Sequence, residues 1–221
     1  MATGTVIHAL SCAARFNDHF TGHPVADELP VRLAGSFQRP ILRPGGAGRR
    51  QGDGAYRFVD APSGATRILW REPFARSHAG WMRWQDDPEI VLPLADPTAL
   101  VQVELWPTGR AAAPASATGV RGRLAGPNRG GQTVRIAVQG APFDRFTRSD
   151  DTGDFLFLPP GRLPTDPLGR VPLTVEVRDP GGVVRAVNGG AFVPASAGAA
   201  FSAADFVILP RTIPRVLFQI A

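Results

Sequence analysis

The chain has 221 residues and a formal net charge of +5, with 43% hydrophobic and 19% charged residues, enough for one large domain or two small ones. Its 25 Gly and 22 Pro interrupt helices and inner strands too often for a helical protein, and favour short strands joined by turns. All 24 basic residues are Arg, scattered singly or in pairs near carboxylates with no basic block, which argues against nucleic-acid binding. The single cysteine excludes an intrachain disulfide or a four-cysteine zinc site.

The N-terminal MATGTVIHALSCAARF lacks a charged leading segment, and its apolar run is too short for a signal peptide. No window reaches the length of a membrane span. Residues 5–16 alternate as a first strand, with Cys12 expected as a small buried thiol that no neighbouring base activates. In the following NDHFTGHPV, His19 and His23 stand four apart, a metal spacing only on a helix. Gly22 and Pro24 forbid that helix, so the expectation is a polar turn with solvent-exposed histidines. His8 and His78 stand alone. ELPVRLAG places Leu29, Val31 and Leu33 on one face at period two, a strand signal.

RPGGAGRRQGDG is glycine-rich, but no Lys-Ser/Thr pair follows it to make a phosphate loop. AYRFVD and ATRILWRE then read as strands around APSG, with Trp70 expected in the core. Segment 71–89 reads as an irregular loop or one short helical turn. It carries Phe74, Trp81 and Trp84, the candidate partner contacts, because loop tryptophans are enriched at interaction hot spots. Asp86 and Asp87 are adjacent, so in extended chain they point apart and make a poor general acid and base pair.

PEIVLPL and ALVQVELWP alternate well, with Val101, Val103 and Leu105 facing one way. The small, proline-bearing RAAAPASAT reads as a linker. Beyond it, GVRGRLAG, QTVRIAVQG, VPLTVEVRD and VVRAVNGG are strands, the last two flanking the turn DPGG. The tail ADFVILPRTIPRVLFQIA holds two apolar runs split by prolines, suited to finishing the second core or reaching a partner. The expected organisation is a first β-sandwich over 1–109, a linker over 110–117, and a second β-sandwich with a C-terminal extension over 118–221.

One phrase occurs twice. QGDGAYRFVDAPSG and RSDDTGDFLFLPPG each run from an acidic, glycine-closed turn through aromatics at period two to a proline–glycine turn. Tyr56 with Phe58, and Phe155 with Phe157, would fix strand register by burying large rings on one side. The carboxylates of DDTGD lack the alternating oxygens and distal Glu of a calcium loop, which leaves an ordinary charged turn.

This order resembles the carboxypeptidase regulatory-like, or transthyretin-like, sandwich family. The second copy matches through Asp150, Gly153, Phe155, Phe157, Pro160 and Gly161, and the first through Asp53, Gly54, Tyr56, Phe58, Pro62 and Gly64. TGHPVADELPVRL is similar to the family's opening strand, while RLPTDPLGR is an insertion where the family continues directly into a strand. The resemblance implies an all-β fold of two tandem antiparallel Ig-like/transthyretin-like β-sandwich domains. It also implies a non-enzymatic role as spacer, accessory or structural subunit.

Tandem proteins of this kind among bacteriophage tail and contractile injection particle genes are also similar. That likeness implies a virion or extracellular-particle protein, assembled in the cytoplasm without a signal peptide and bound to other protein subunits, with no membrane. No hydrolase, metalloprotease or dinucleotide motif occurs, so no catalytic, cofactor-binding or metal residues are assigned. Two alternatives are a carbohydrate-binding or adhesion module that holds surface glycan through Trp81 and Trp84, and a non-catalytic accessory domain of an enzyme complex.

Overall fold

The computed structural model describes residues 8–25, 27–36, 40, 54–71, 77–78, 80–83, 85–138, 146–188, 191–193, 199–200 and 205–220. Among them every regular element is a strand, and the chain is all-β with several largely antiparallel sheets. It divides into two compact units: residues 1–79 with 83–105, and residues 80–82 with 106–221. The segment 110–117 lies in the second unit.

Among the described residues, eight strands precede residue 108: β1 (Leu10–Asp18), β2 (Arg32–Leu33), β3 (Ala55–Val59), β4 (Gly64–Leu69), β5 (Ser77–His78), β6 (Trp81–Met82), β7 (Glu89–Leu92) and β8 (Leu100–Pro107). In the first unit, β1 lies between an antiparallel β3 and a parallel β8. β4 lies between β2 and β7, antiparallel to both. Alternation accounts for the core these strands enclose. Val103 and Leu105 are buried as expected, while Val101 is half-buried towards the start of β8. Leu29, Val31 and Leu33 are all buried, although only residues 32–33 of that run are paired as strand. Tyr56 meets Phe16 edge to face at 5.6 Å, and its hydroxyl accepts a hydrogen bond from the Leu29 main chain at 3.0 Å. A ring with a polar tip thus fills the core and ties down the chain entering β2. Trp70, just past the end of β4, is fully buried, as expected of a core residue.

The second unit continues with β9 (Val120–Ala125), β10 (Thr133–Val138), β11 (Phe146–Arg148), β12 (Asp154–Phe157), β13 (Val171–Arg178), β14 (Val184–Arg185), β15 (Val187–Asn188), β16 (Ala191–Val193), β17 (Ala199–Ala200), β18 (Asp205–Ile208) and β19 (Arg215–Ile220). One sheet runs β12–β9–β19–β16–β17, with β15 also on β19; the other runs β11–β10–β13–β14, with β18 also on β13. Phe218 of the first sheet stacks on its sheet-mate Phe155 at 6.3 Å and meets Phe206 of the other sheet at 6.0 Å. The two inner faces therefore meet in a sandwich-like arrangement. Each such ring withdrawn from water contributes about 1.5–3 kcal/mol. The tail supplies β18 and β19, so its two apolar runs complete this unit.

The strand orders of the two units coincide. β9 lies between an antiparallel β12 and a parallel β19, as β1 lies between β3 and β8. β13 pairs antiparallel with β10 and β18, as β4 does with β2 and β7. The repeated phrase forms β3 in one unit and β12 in the other, each beside the unit's first long strand. The verbal echo in the sequence is thus an echo in topology.

Candidate functional site

The acidic residues of the second phrase build its turn. One Asp150 carboxylate oxygen accepts the main-chain N–H groups of Thr152 and Asp154 at 2.9 Å and the Thr152 hydroxyl at 2.7 Å. The Asp150 carbonyl accepts Gly153 N–H at 2.9 Å. Gly153 has φ +86°, and a Cβ there would stand 2.5 Å from the Leu124 carbonyl oxygen, so the turn requires glycine. Asp166 and Asp179 repeat the device, with Gly169 and Gly182 three residues on at φ +74° and +86°. Asp166 folds the inserted RLPTDPLGR into a closed turn in which Arg170 also bonds its carboxylate at 2.8 Å. An Asp that caps its own turn is committed to backbone geometry. Among the described residues no group of three or more His, Cys, Asp or Glu is placed to hold a metal ion.

The aromatic candidates fare unevenly. Phe74 and Trp84 lie outside the described residues, as does Asp53 of the first phrase; so do residues 41–53, most of the glycine-rich loop. Trp81 is half-buried in β6, opposite Pro107 of β8 in the register, with Met82 opposite Trp106. Among the described residues of segment 71–89, residues 77–78 and 81–82 form short strands, with Trp81 and Met82 lying against β8, residue 89 opens β7, and the others are bends, turns or irregular chain; none is helical.

His19 corrects the reading of a wholly exposed turn: it is only 8% exposed, whereas His23 is exposed. The main chain accounts for this. His19 N–H bonds the Leu105 carbonyl at 2.9 Å, extending the β1–β8 ladder one residue past Asp18, and the ring packs on Phe20 with Nδ1 3.0 Å from Glu104. Gly22 and Pro24 break the helix without exposing the residues before them. His8, expected to stand alone, bonds the Asp60 carboxylate. Asp87 pairs with Arg71 at 2.7 Å, and the Asp86 carbonyl accepts the Arg83 Nε–H at 3.1 Å. Cys12 is fully buried, and burial raises its thiol pKa to about 11, so little thiolate forms near neutral pH.

Sequence reasoning pointed to strand edges as contact surfaces without identifying which residues lie on them. β7 and β18 each pair on one side only among the described strands. Val91 of β7 stands opposite Ala65, one residue before the Gly64–Leu92 pair; Val207 of β18 stands opposite Pro172, one residue before the Val171–Ile208 pair. The two valines therefore hold equivalent places, 66% and 42% exposed, next to buried Leu92 and Ile208. The alternation in PEIVLPL and ADFVILP carries this signal, but which apolar residue faces out depends on sheet position. No protein-family model, no curated protein and no solved structure matches the chain.

Proposed function

We propose that the chain is a non-enzymatic structural or adaptor subunit, built of two tandem transthyretin-like, Ig-like sandwiches, that works through protein–protein interfaces in a bacteriophage tail or related contractile injection particle. The observation that carries this reading is the equivalent pair Val91 and Val207. Each is an outward-facing apolar side chain on a strand that is at an edge among the described strands, and an edge of that kind offers main-chain groups together with apolar surface. Edges of that kind invite a neighbouring chain, and proteins that work alone blunt them with charge, proline or a cover. Two units of one strand order present this feature twice, which suits a subunit that bridges neighbours.

The test is mass spectrometry and electron microscopy of particles purified from producing cells. The chain is expected among tail or sheath components. A monomer that never copurifies with them overturns the reading. A glycan-binding alternative rests on Trp81, the described member of the aromatic loop. Saccharide binding on a glycan array that Trp81→Ala abolishes would favour it over a purely structural role.

A further inference from the structure

The outer face of the β12–β9–β19 sheet carries an arrangement that an assembly role does not require. Among the described residues, a concavity of about 520 Å³ is lined by Arg110, Arg121, Arg123 and Arg215, with Asp154 as the one acidic side chain. Four described arginines there accompany one described carboxylate, an excess of three positive charges among the described residues of the hollow. The strand register creates the crowding: Arg215 of β19 is the direct partner of Arg121 on the parallel strand β9. Like charges directly opposite on neighbouring strands are destabilising, and a local conflict of this kind marks a place shaped by something other than folding.

The four guanidiniums differ in what they have left to offer. Arg123 is satisfied by the Asp154 carboxylate through a two-pronged bond at 2.6 and 2.9 Å. Arg121 is held by the carbonyls of Gly109 and Ala111, the latter at 2.7 Å, so it is fixed in place. Burial first, and the charge of Arg215 second, push its pKa below the usual guanidinium range, the response of a cation short of negative charge. Arg110 and Arg215 are exposed; the Arg110 main-chain N–H bonds the Thr108 hydroxyl at 3.3 Å and Arg215 takes part in the β19 ladder, but no hydrogen bond or ion pair of either guanidinium is seen among the described residues.

We propose that this hollow is a binding site for a small phosphoryl dianion, such as inorganic phosphate or a phosphate monoester, held by Arg110, Arg121 and Arg215. The volume suits a small ligand. A single carboxylate would leave two of the three excess charges uncompensated, whereas a phosphoryl group offers about two negative charges and three acceptor oxygens. The arginines gather in one hollow and form no stripe, which fits a compact anion better than a nucleic-acid backbone. The proposal is independent of the assembly role above.

Calorimetric titration of the full chain with inorganic phosphate, at ionic strength held constant with chloride, tests it. Saturable binding is expected, weakened about tenfold or more by Arg215→Gln and by Arg110→Gln, as for loss of one charged hydrogen bond. Arg67→Gln, an exposed arginine of the first unit that pairs with Glu89, should leave binding unchanged. Circular dichroism on each variant separates lost binding from lost fold. Absent binding, or binding kept equally by both site variants, overturns the proposal. Tighter capture of a short Asp/Glu peptide than of phosphate overturns it in favour of carboxylate recognition.

Discussion

Phe155 of β12 stands directly opposite Gly122 of β9, and its ring occupies the space that a side chain at Gly122 would need. Tyr56 holds the corresponding place in the first unit, where its register partner is Ala14. Both pairs set a large ring against the smallest residue the neighbouring strand can supply, the complementarity by which close-packed cores fill space. Gly122→Ala should therefore destabilise the second unit by about 1–3 kcal/mol, since a methyl there overlaps the Phe155 ring. Chemical denaturation would show it as a lower midpoint at unchanged slope. Gly122→Ala combined with Phe155→Leu should recover part of the loss, which a backbone effect at residue 122 would not allow.

Acid should weaken the turn that begins β12. The Arg123 side-chain bond foremost, helped by the Thr152 hydroxyl, holds the Asp154 carboxyl below the usual carboxylate range. A group whose folded pKa lies below its unfolded one stabilises above the unfolded value and loses that contribution as pH falls through the folded value. Asp166, lowered first by the Arg170 main-chain N–H and then by its side chain, and Glu176, lowered by the Arg178 side-chain bond, act with the same sign. Asp154→Asn should cost about 1 kcal/mol at neutral pH, because Arg123 is half in solvent, and the cost should shrink progressively as pH falls below the ordinary carboxylate range of about 3.9. Thermal unfolding of both proteins as a function of pH reads the difference.

The Cys12 thiol should be silent in the folded protein. With a pKa raised to about 11 and no exposure, it should resist an aromatic disulfide reagent at pH 8 and react fully in denaturant. Rapid labelling under native conditions would mean that β1 opens far more readily than a strand paired on both sides should.

Charge placed on the sheet edges should separate assembly from folding. Val207→Arg and Val91→Arg alter outward side chains, so each should change stability by no more than about 0.5 kcal/mol. Under the assembly role, the double variant should be excluded from purified particles while remaining folded. Incorporation at the normal level would show that these edges are not the contacts.

Several features could be read from the chain alone because they are local. Period-two alternation gave the strands around Val103, Ile136 and Val175, and the D-x-x-G turns at Asp150 and Asp179 are visible as written. His19 was misjudged because its burial depends on Leu105, which accepts its N–H from 86 residues away. The arginine hollow could not be found by scanning, since Arg110, Arg121 and Arg215 come from three separate stretches that meet only when β19 lies against β9. Register between distant strands is where composition stops being informative.

The parallel pairing of first and last strand in each unit has a mechanical meaning. Because β1 and β8 run the same way, as do β9 and β19, the chain enters a unit at one end of that ladder and leaves at the other. At about 3.3 Å per residue, the six-residue match of β1 with β8 spans roughly 20 Å. Tension along the polypeptide therefore loads the hydrogen bonds of the ladder together, in shear, instead of peeling them one by one. Each unit is built as a link that resists extension, a property suited to a chain whose neighbours pull on it.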